Sequence, residues 1–337
     1  NPMPHGDGQK IRLRAASNGS YYQNYSLSFE EPWMGGAKPN SFSVSLWKTI
    51  QSFNEGSKMD ISGLSIGFGK RLNWPDDYFT ITHSVNFQRY NLENYQTSLF
   101  DFSDGFSNNI NYATTFSRNS IFNPIYPRNG SKFTLYFELT PPYSLFKEKD
   151  YYKNLDDDQE RYKFLEYNKF KFDGTWYNAL IGDLVIRTHF EFGFLGTYNR
   201  SVGLPPFERF FVGGDGLSGY SIDGREIIAL RGYPNGSLSS DSGDALYNKY
   251  NIELRYPISL NPNSTIYGLL FTEAGNSWSN YDNFNPFELK RSAGLGLRIF
   301  MPMFGLLGLD FAHGFDNLSN SNIKSGWQTH FIIGQQF

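Results

Sequence analysis

In the segment SKFTLYFELT, residues 131–140, every second residue is apolar. Phe133, Leu135, Phe137 and Leu139 share one face of an extended backbone. Lys132, Thr134, Tyr136 and Glu138 share the other, because successive side chains of a strand point to opposite sides. The pattern recurs in DLVIRTHFEFGF, where Leu184, Ile186, Phe190, Phe192 and Phe194 oppose Asp183, Arg187, His189 and Glu191. It recurs again in LYNKYNIELRY, where Leu246, Tyr250, Ile252, Leu254 and Tyr256 oppose Lys249, Asn251, Glu253 and Arg255. Alternation alone also fits a soluble sandwich. Length separates the two readings, because these runs reach ten residues or more. Soluble strands average about 5–6 residues, whereas a tilted membrane strand needs about 9–11.

Alternation predicts fourteen strands, at 9–17, 22–31, 41–52, 61–73, 77–92, 108–121, 131–141, 166–179, 182–197, 245–258, 263–274, 290–301, 305–313 and 325–337. From the second strand onward, short turns alternate with long polar loops. The turns are PWMGGAKPN, WPD, NPIYPRNG, ALIG, ISLNPN and MPMFG; the loops surround 53–60, 93–107, 142–165, 198–244, 275–289 and 314–324. Outer-membrane barrels show this asymmetry between their two ends. The charge-dense stretch 142–165 reads as a solvated loop with room for a short helix. The fold class expected is therefore all-β, a transmembrane antiparallel β-barrel occupying 1–337 as a single domain.

Composition agrees. No run approaches the roughly 18–20 apolar residues of a membrane helix, so hydropathy alone would describe a soluble protein. Yet aromatic residues make up 18% of the chain and are spread along it, as in barrels whose lipid-facing and interior residues alternate. A net charge of −3 argues against a nucleic-acid binder. The absence of cysteine removes disulfides, thiolate metal sites and cysteine nucleophiles, and suits an oxidising periplasm. Asn1 is not a start methionine and no signal peptide is present, so the chain reads as a processed or trimmed product.

Chemistry-bearing constellations are sparse. The five histidines, His5, His83, His189, His313 and His330, include no H-x-x-x-H pair. His189 shares a polar face with Glu191 and Arg187 and reads as a structural histidine. The glycine-rich GGDGLSG at 213–219 does not follow a strand and open a helix, so it is no phosphate cradle, and it lacks the carboxylates of a calcium loop. The expectation is a protein without enzymatic activity, cofactor or metal.

The loop 198–244 is the exception. It exceeds the roughly 12–15 residues beyond which a loop needs an explanation, and RFFVGGDGLSGY and IIALRGY carry apolar groups unsuited to open water. Folding back into a barrel interior would bury Arg231, and a buried guanidinium needs carboxylate partners. The next two strands offer Glu253, on the polar face of its strand, and Glu273, which shares a face with Tyr267 and Phe271. The arginine fork suits such carboxylates.

Taken in order, RFFVGG with Gly213 and Gly214, then Leu230-Arg231-Gly232-Tyr233, then IELRYPI and FTEAGNSW, then terminal FIIGQQF, the chain resembles the Omp85 superfamily. IYPRNGSKF resembles the family's P-x-x-G turn, on Pro127 and Gly130. In FIIGQQF, Phe331, Ile333 and Phe337 share a face and resemble the C-terminal strand signal. Leu230 replaces a usual valine or isoleucine, and Glu273 stands where aspartate is common. The resemblance implies a sixteen-stranded barrel, two strands more than are counted, with the first hairpin and the upstream periplasmic POTRA domains absent from this chain. It also implies a factor that folds and inserts β-barrel proteins into the outer membrane of a Gram-negative bacterium, through a seam between first and last strands. Arg231, Glu253 and Glu273 would lock the loop inside. The implied partners are nascent outer-membrane proteins, accessory lipoproteins of an assembly complex, and lipid or lipopolysaccharide. Two alternatives stay open: a two-partner secretion transporter of the same superfamily, and a passive porin or uptake channel.

Overall fold

The computed structural model describes residues 8–36, 40–53, 56–95, 101–148, 150–216, 225–319 and 321–334. They form sixteen strands: β1 (Lys10–Asn18), β2 (Tyr22–Glu31), β3 (Asn40–Ser52), β4 (Lys58–Arg71), β5 (Phe79–Glu93), β6 (Gly105–Asn119), β7 (Gly130–Leu139), β8 (Asn168–Ala179), β9 (Val185–Gly196), β10 (Phe210–Val212), β11 (Glu226–Ile228), β12 (Leu246–Asn261), β13 (Ser264–Trp278), β14 (Lys290–Met301), β15 (Gly305–Asn317) and β16 (Lys324–Ile333). Fourteen lie in one sheet in chain order, with β9 beside β12, and β10 and β11 make a separate parallel pair. The fourteen coincide one for one with the alternating segments of the sequence. Two differences matter. β12 and β13 run on to 261 and 278, which places Glu273 within its strand rather than at the end. β16 is described as far as Ile333, and Phe337 lies outside the described residues.

Burial follows the alternation in the opposite sense to a soluble sheet. On β12, Ile252, Leu254, Tyr256, Ile258 and Leu260 are exposed, at 38–68%, while Asn251, Glu253 and Arg255 are at most 8% exposed. Apolar side chains outside and charged ones inside is the arrangement of a strand solvated by lipid. Among the described residues, no helix is long and apolar enough to cross a membrane.

The chain divides into two compact units. The first comprises Asn1–Ser117, Leu135–Phe170 and Leu195–Phe207. One face of its sheet carries a small polar row: Ser28, Ser45, Ser65 and Asn86 pair across β2 to β5. Asn86 continues the row by bonding to Asn111 at 2.7 Å. Trp47 lies across Gly63, where any Cβ would fall 2.1 Å from the indole. The opposite face carries the apolar row Leu13, Leu27, Leu46, Leu64 and Phe87. The stretch 142–165 is more folded than its charge suggests. It contains a helical turn, Asp158–Arg161, capped by the Asp157 carboxylate, and Leu165 at its end is fully buried.

The second unit comprises Arg118–Thr134, Lys171–Phe194 and Glu208–Phe337. Its apolar core gathers Tyr126, Tyr177, Val185, Tyr267, Leu269, Phe271 and Ala312. Tyr126 arrives from the turn that precedes β7. Its hydroxyl lies 2.8 Å from the Asp183 carbonyl and 3.0 Å from that of Arg255, and its ring meets Tyr267 edge-on at 5.2 Å. Pro127 lies in that turn and Gly130 ends it. Gly130 has φ +113°, and a Cβ there would sit 2.6 Å from the Ser120 carbonyl oxygen. Only glycine meets both conditions without strain. Gly130→Ala is therefore expected to destabilise the fold by about 1–3 kcal/mol, read as a lower urea midpoint of the protein folded in lipid. An unchanged midpoint would refute this account of the turn.

Candidate functional site

The long segment between β9 and β12 folds on itself before it meets the sheet. β10 and β11 pair in parallel. Beyond them the Gly213 N–H donates to the Ile228 carbonyl at 3.0 Å, and Gly214 N–H to that of Leu230 at 3.1 Å. RFFVGG and LRGY are thus zipped side by side. Phe210, Val212, Leu230, Tyr233 and Leu238, apolar groups anomalous in a solvated loop, are at most 1% exposed.

This zipper delivers Arg231 to the charged face of β12, β13 and β15. The backbone N–H of Arg231 donates to Glu273 Oε2 at 2.7 Å and its Nε to Glu273 Oε1 at 2.9 Å. Nη2 reaches Glu253 Oε1 and Glu273 Oε1, both at 2.7 Å, and Nη1 reaches Asp310 Oδ2 at 2.9 Å. The guanidinium carbon stands 3.5 Å above the Phe271 ring, a cation–π contact in a desolvated setting. Both expected partners, Glu253 and Glu273, are in place. Burial would by itself lower the Arg231 pKa, but the charges of Glu273, Glu253 and Asp310 outweigh it, so the group is held charged with its pKa raised.

The carboxylates are themselves shared. Glu253 also accepts from Arg255 at 2.8 and 2.6 Å and lies 3.6 Å from Arg187. Asp310 accepts from Arg298 at 2.7 Å, and Asn251 donates to Glu273 at 3.1 Å. Four guanidinium groups and three carboxylates thus form one network across five strands. Beside it lies a cavity of about 310 Å³ lined in part by Arg187, Arg298, Glu273 and His330.

The rest of the motif faces the last strand. Gly232 N–H donates to His330 Nε2 at 2.8 Å, and Ser325 donates its hydroxyl hydrogen to the Gly232 carbonyl. Gly232 has φ +87°, and a Cβ would meet that of Ser292 at 2.7 Å. The Tyr233 hydroxyl donates to the Arg291 carbonyl at 2.7 Å, and burial pushes its pKa up to about 12. Asp215 accepts from the Phe331 N–H at 3.3 Å. Phe331 and Ile333 point the other way, 59% and 66% exposed, sharing a face as expected. Pro127 and Gly130 belong to the turn described above rather than to this cluster.

Sequence reasoning missed Asp310, Arg187, Arg255, Arg298 and His330. Alternation had already set Arg187 and Arg255 on polar faces, and the lone carboxylate in GLLGLDFAHG is a signal of its own. What sequence lacks is the cross-strand register that joins them.

Residues 5–337 match the Omp85 superfamily domain. No curated protein matches the chain significantly. Among solved structures, BamA from Haemophilus ducreyi lacking POTRA domains 1–3 superposes with a TM-score of 0.69 at 16% identity, over 97% of this chain and 64% of that one. CdiB from Escherichia coli gives a TM-score of 0.56 at 11% identity, over 92% and 52%. CdiB from Acinetobacter baumannii gives 0.51 at 13%, over 96% and 52%. The chain thus spans less than two thirds of each of these proteins. With the fourteen-stranded antiparallel sheet, these likenesses give the fold, a transmembrane β-barrel.

Removing Arg231 would leave buried Glu273 without its guanidinium partner and take one cation each from Glu253 and Asp310. Arg231→Ala is expected to cost roughly 3–5 kcal/mol, and Arg231→Lys to recover only part, because an ammonium cannot present the guanidinium fork. The readouts are the urea midpoint and the heat-modifiable gel mobility. Mobility and midpoint unchanged in Arg231→Ala would show that the network does not hold the loop.

Proposed function

We propose, for a chain that belongs to the Omp85 superfamily, the role of an outer-membrane assembly factor that folds and inserts other β-barrel proteins. The observation that carries this reading is the Arg231 network. A seam between first and last strands would present unpaired N–H and C=O groups to which a substrate strand can add. The network fixes a loop to β12, β13 and β15, the strands that must hold while such a seam opens. On this reading the protein works in the outer membrane of a Gram-negative bacterium. Its partners are nascent outer-membrane proteins, accessory lipoproteins of an assembly complex, and surrounding lipid or lipopolysaccharide. Arg231, Glu253 and Glu273 form the lock.

A second reading, a two-partner secretion transporter, is favoured by the likeness to the two CdiB structures. The two readings differ in what fails. An engineered disulfide joining the last strand to its closing neighbour is expected to block growth and lower the levels of many outer-membrane proteins. Normal growth with the crosslink formed would refute the assembly role. Loss of a single secreted partner with other outer-membrane proteins intact would favour secretion. A large steady single-channel current would instead indicate a passive pore.

A further inference from the structure

A second cluster faces the same cavity as the arginine network but takes no part in it. Asp173 on β8 and His189 and Glu191 on β9 converge there. His189 Nε2 lies 2.8 Å from Asp173 Oδ2 and 3.5 Å from Glu191 Oε1. One donor atom from each of the three lies within 4.8 Å of the other two. His189 and Glu191 are two apart on a strand and therefore project to the same side. Asp173 comes from the neighbouring strand, so no spacing in the sequence announces the trio.

We infer that Asp173, His189 and Glu191 form a binding site for one divalent transition-metal ion, Zn²⁺ foremost. An imidazole with two carboxylates suits zinc, manganese or iron, whereas calcium takes oxygen ligands alone. Ligand atoms about 2.0–2.2 Å from a tetrahedral zinc stand about 3.4 Å from one another. The His189 separations of 2.8 and 3.5 Å bracket that value. Relative to His189, Asp173 need withdraw by about half an ångström, and its oxygen lies within 4.8 Å of that of Glu191; the cavity beside them has space for a solvent molecule as fourth ligand. Binding requires the Nε2 lone pair, so His189 must carry its proton on Nδ1.

Three cations stand close to the cluster. Lys249 lies 3.1 Å from Glu191 Oε1, and its flexible stem can follow the carboxylate to its second oxygen. Arg187 bonds to Asn251 at 2.7 Å, and Lys132 contributes positive charge near Asp173. A bound ion would clamp β8 to β9 beside β11, whose Glu226 bonds to Lys171 at 2.7 Å.

The test is calorimetric titration of the full chain, folded in detergent and stripped with EDTA, with zinc chloride. Heat-modifiable mobility confirms the fold of each variant. The wild type is expected to bind one equivalent saturably. Loss of an outer-shell partner already weakens metal sites by roughly tenfold or more, so His189→Ala and Asp173→Asn should each lose at least about tenfold in affinity. His313→Ala should retain it, because that ring packs against Phe315 and Trp327 instead. No saturable binding by folded wild type overturns the site, and so does affinity that survives His189→Ala. Should that variant fail to fold, Glu191→Gln carries the same comparison: about tenfold weakening supports the site, and unaltered affinity overturns it.

Discussion

A guanidinium group buried in protein needs anionic partners, and in this chain three strands supply them. The constraint runs in both directions. Glu253, Glu273 and Asp310 are themselves at most 5% exposed, and none could remain ionised in that setting without cations close by. Arg231 comes from a loop, while its partners come from β12, β13 and β15. The segment between β9 and β12 therefore cannot take an arbitrary path. It must bring one residue to one point, and the β10–β11 pair exists where the chain has to be stiff enough to do so. Arg187, Arg255 and Arg298 then bind the same carboxylates from the sheet itself, so the loop joins a network that the strands have already begun.

That network is possible because the sheet is inside out. Strands with apolar residues on the exposed face leave the other face free for charge. In the second unit that face holds arginine, lysine, glutamate and aspartate beside the apolar core. In the first unit the corresponding face of β2 to β5 carries the uncharged row Ser28, Ser45, Ser65 and Asn86 at its middle, with Trp47 laid across Gly63. One region is braced by long ionic side chains, and the other chiefly by its backbone ladder and short polar contacts such as Ser65 to Asn86 at 2.6 Å.

Much of this was legible beforehand, for identifiable reasons. A period of two sustained over ten residues marks a strand without reference to its neighbours, so all fourteen sheet strands could be placed. The burial of Arg231 followed from the length of its loop and the apolar residues flanking it, and Glu253 and Glu273 from alternation on the next two strands. Asp310 escaped because it lies on a third strand whose register relative to the loop is set by pairings the sequence does not display. Asp173 escaped as a neighbour of His189 for the same reason. The folded end of 142–165 was hidden differently: its charged residues dominate the composition, while Leu165 and Tyr167, which bury it, are few.

Gly232 has one further consequence. It offers the last strand its amide hydrogen and its carbonyl oxygen, and no side chain at all. Recognition of β16 by the loop is therefore written in main chain on one side and in His330 and Ser325 on the other. Heritable variation can retune such a contact only from the strand's side, because position 232 has no side chain to vary without losing its conformation. Suppressors of a weakened loop should then accumulate in the final strand, some ninety residues away along the chain, and leave the motif itself untouched.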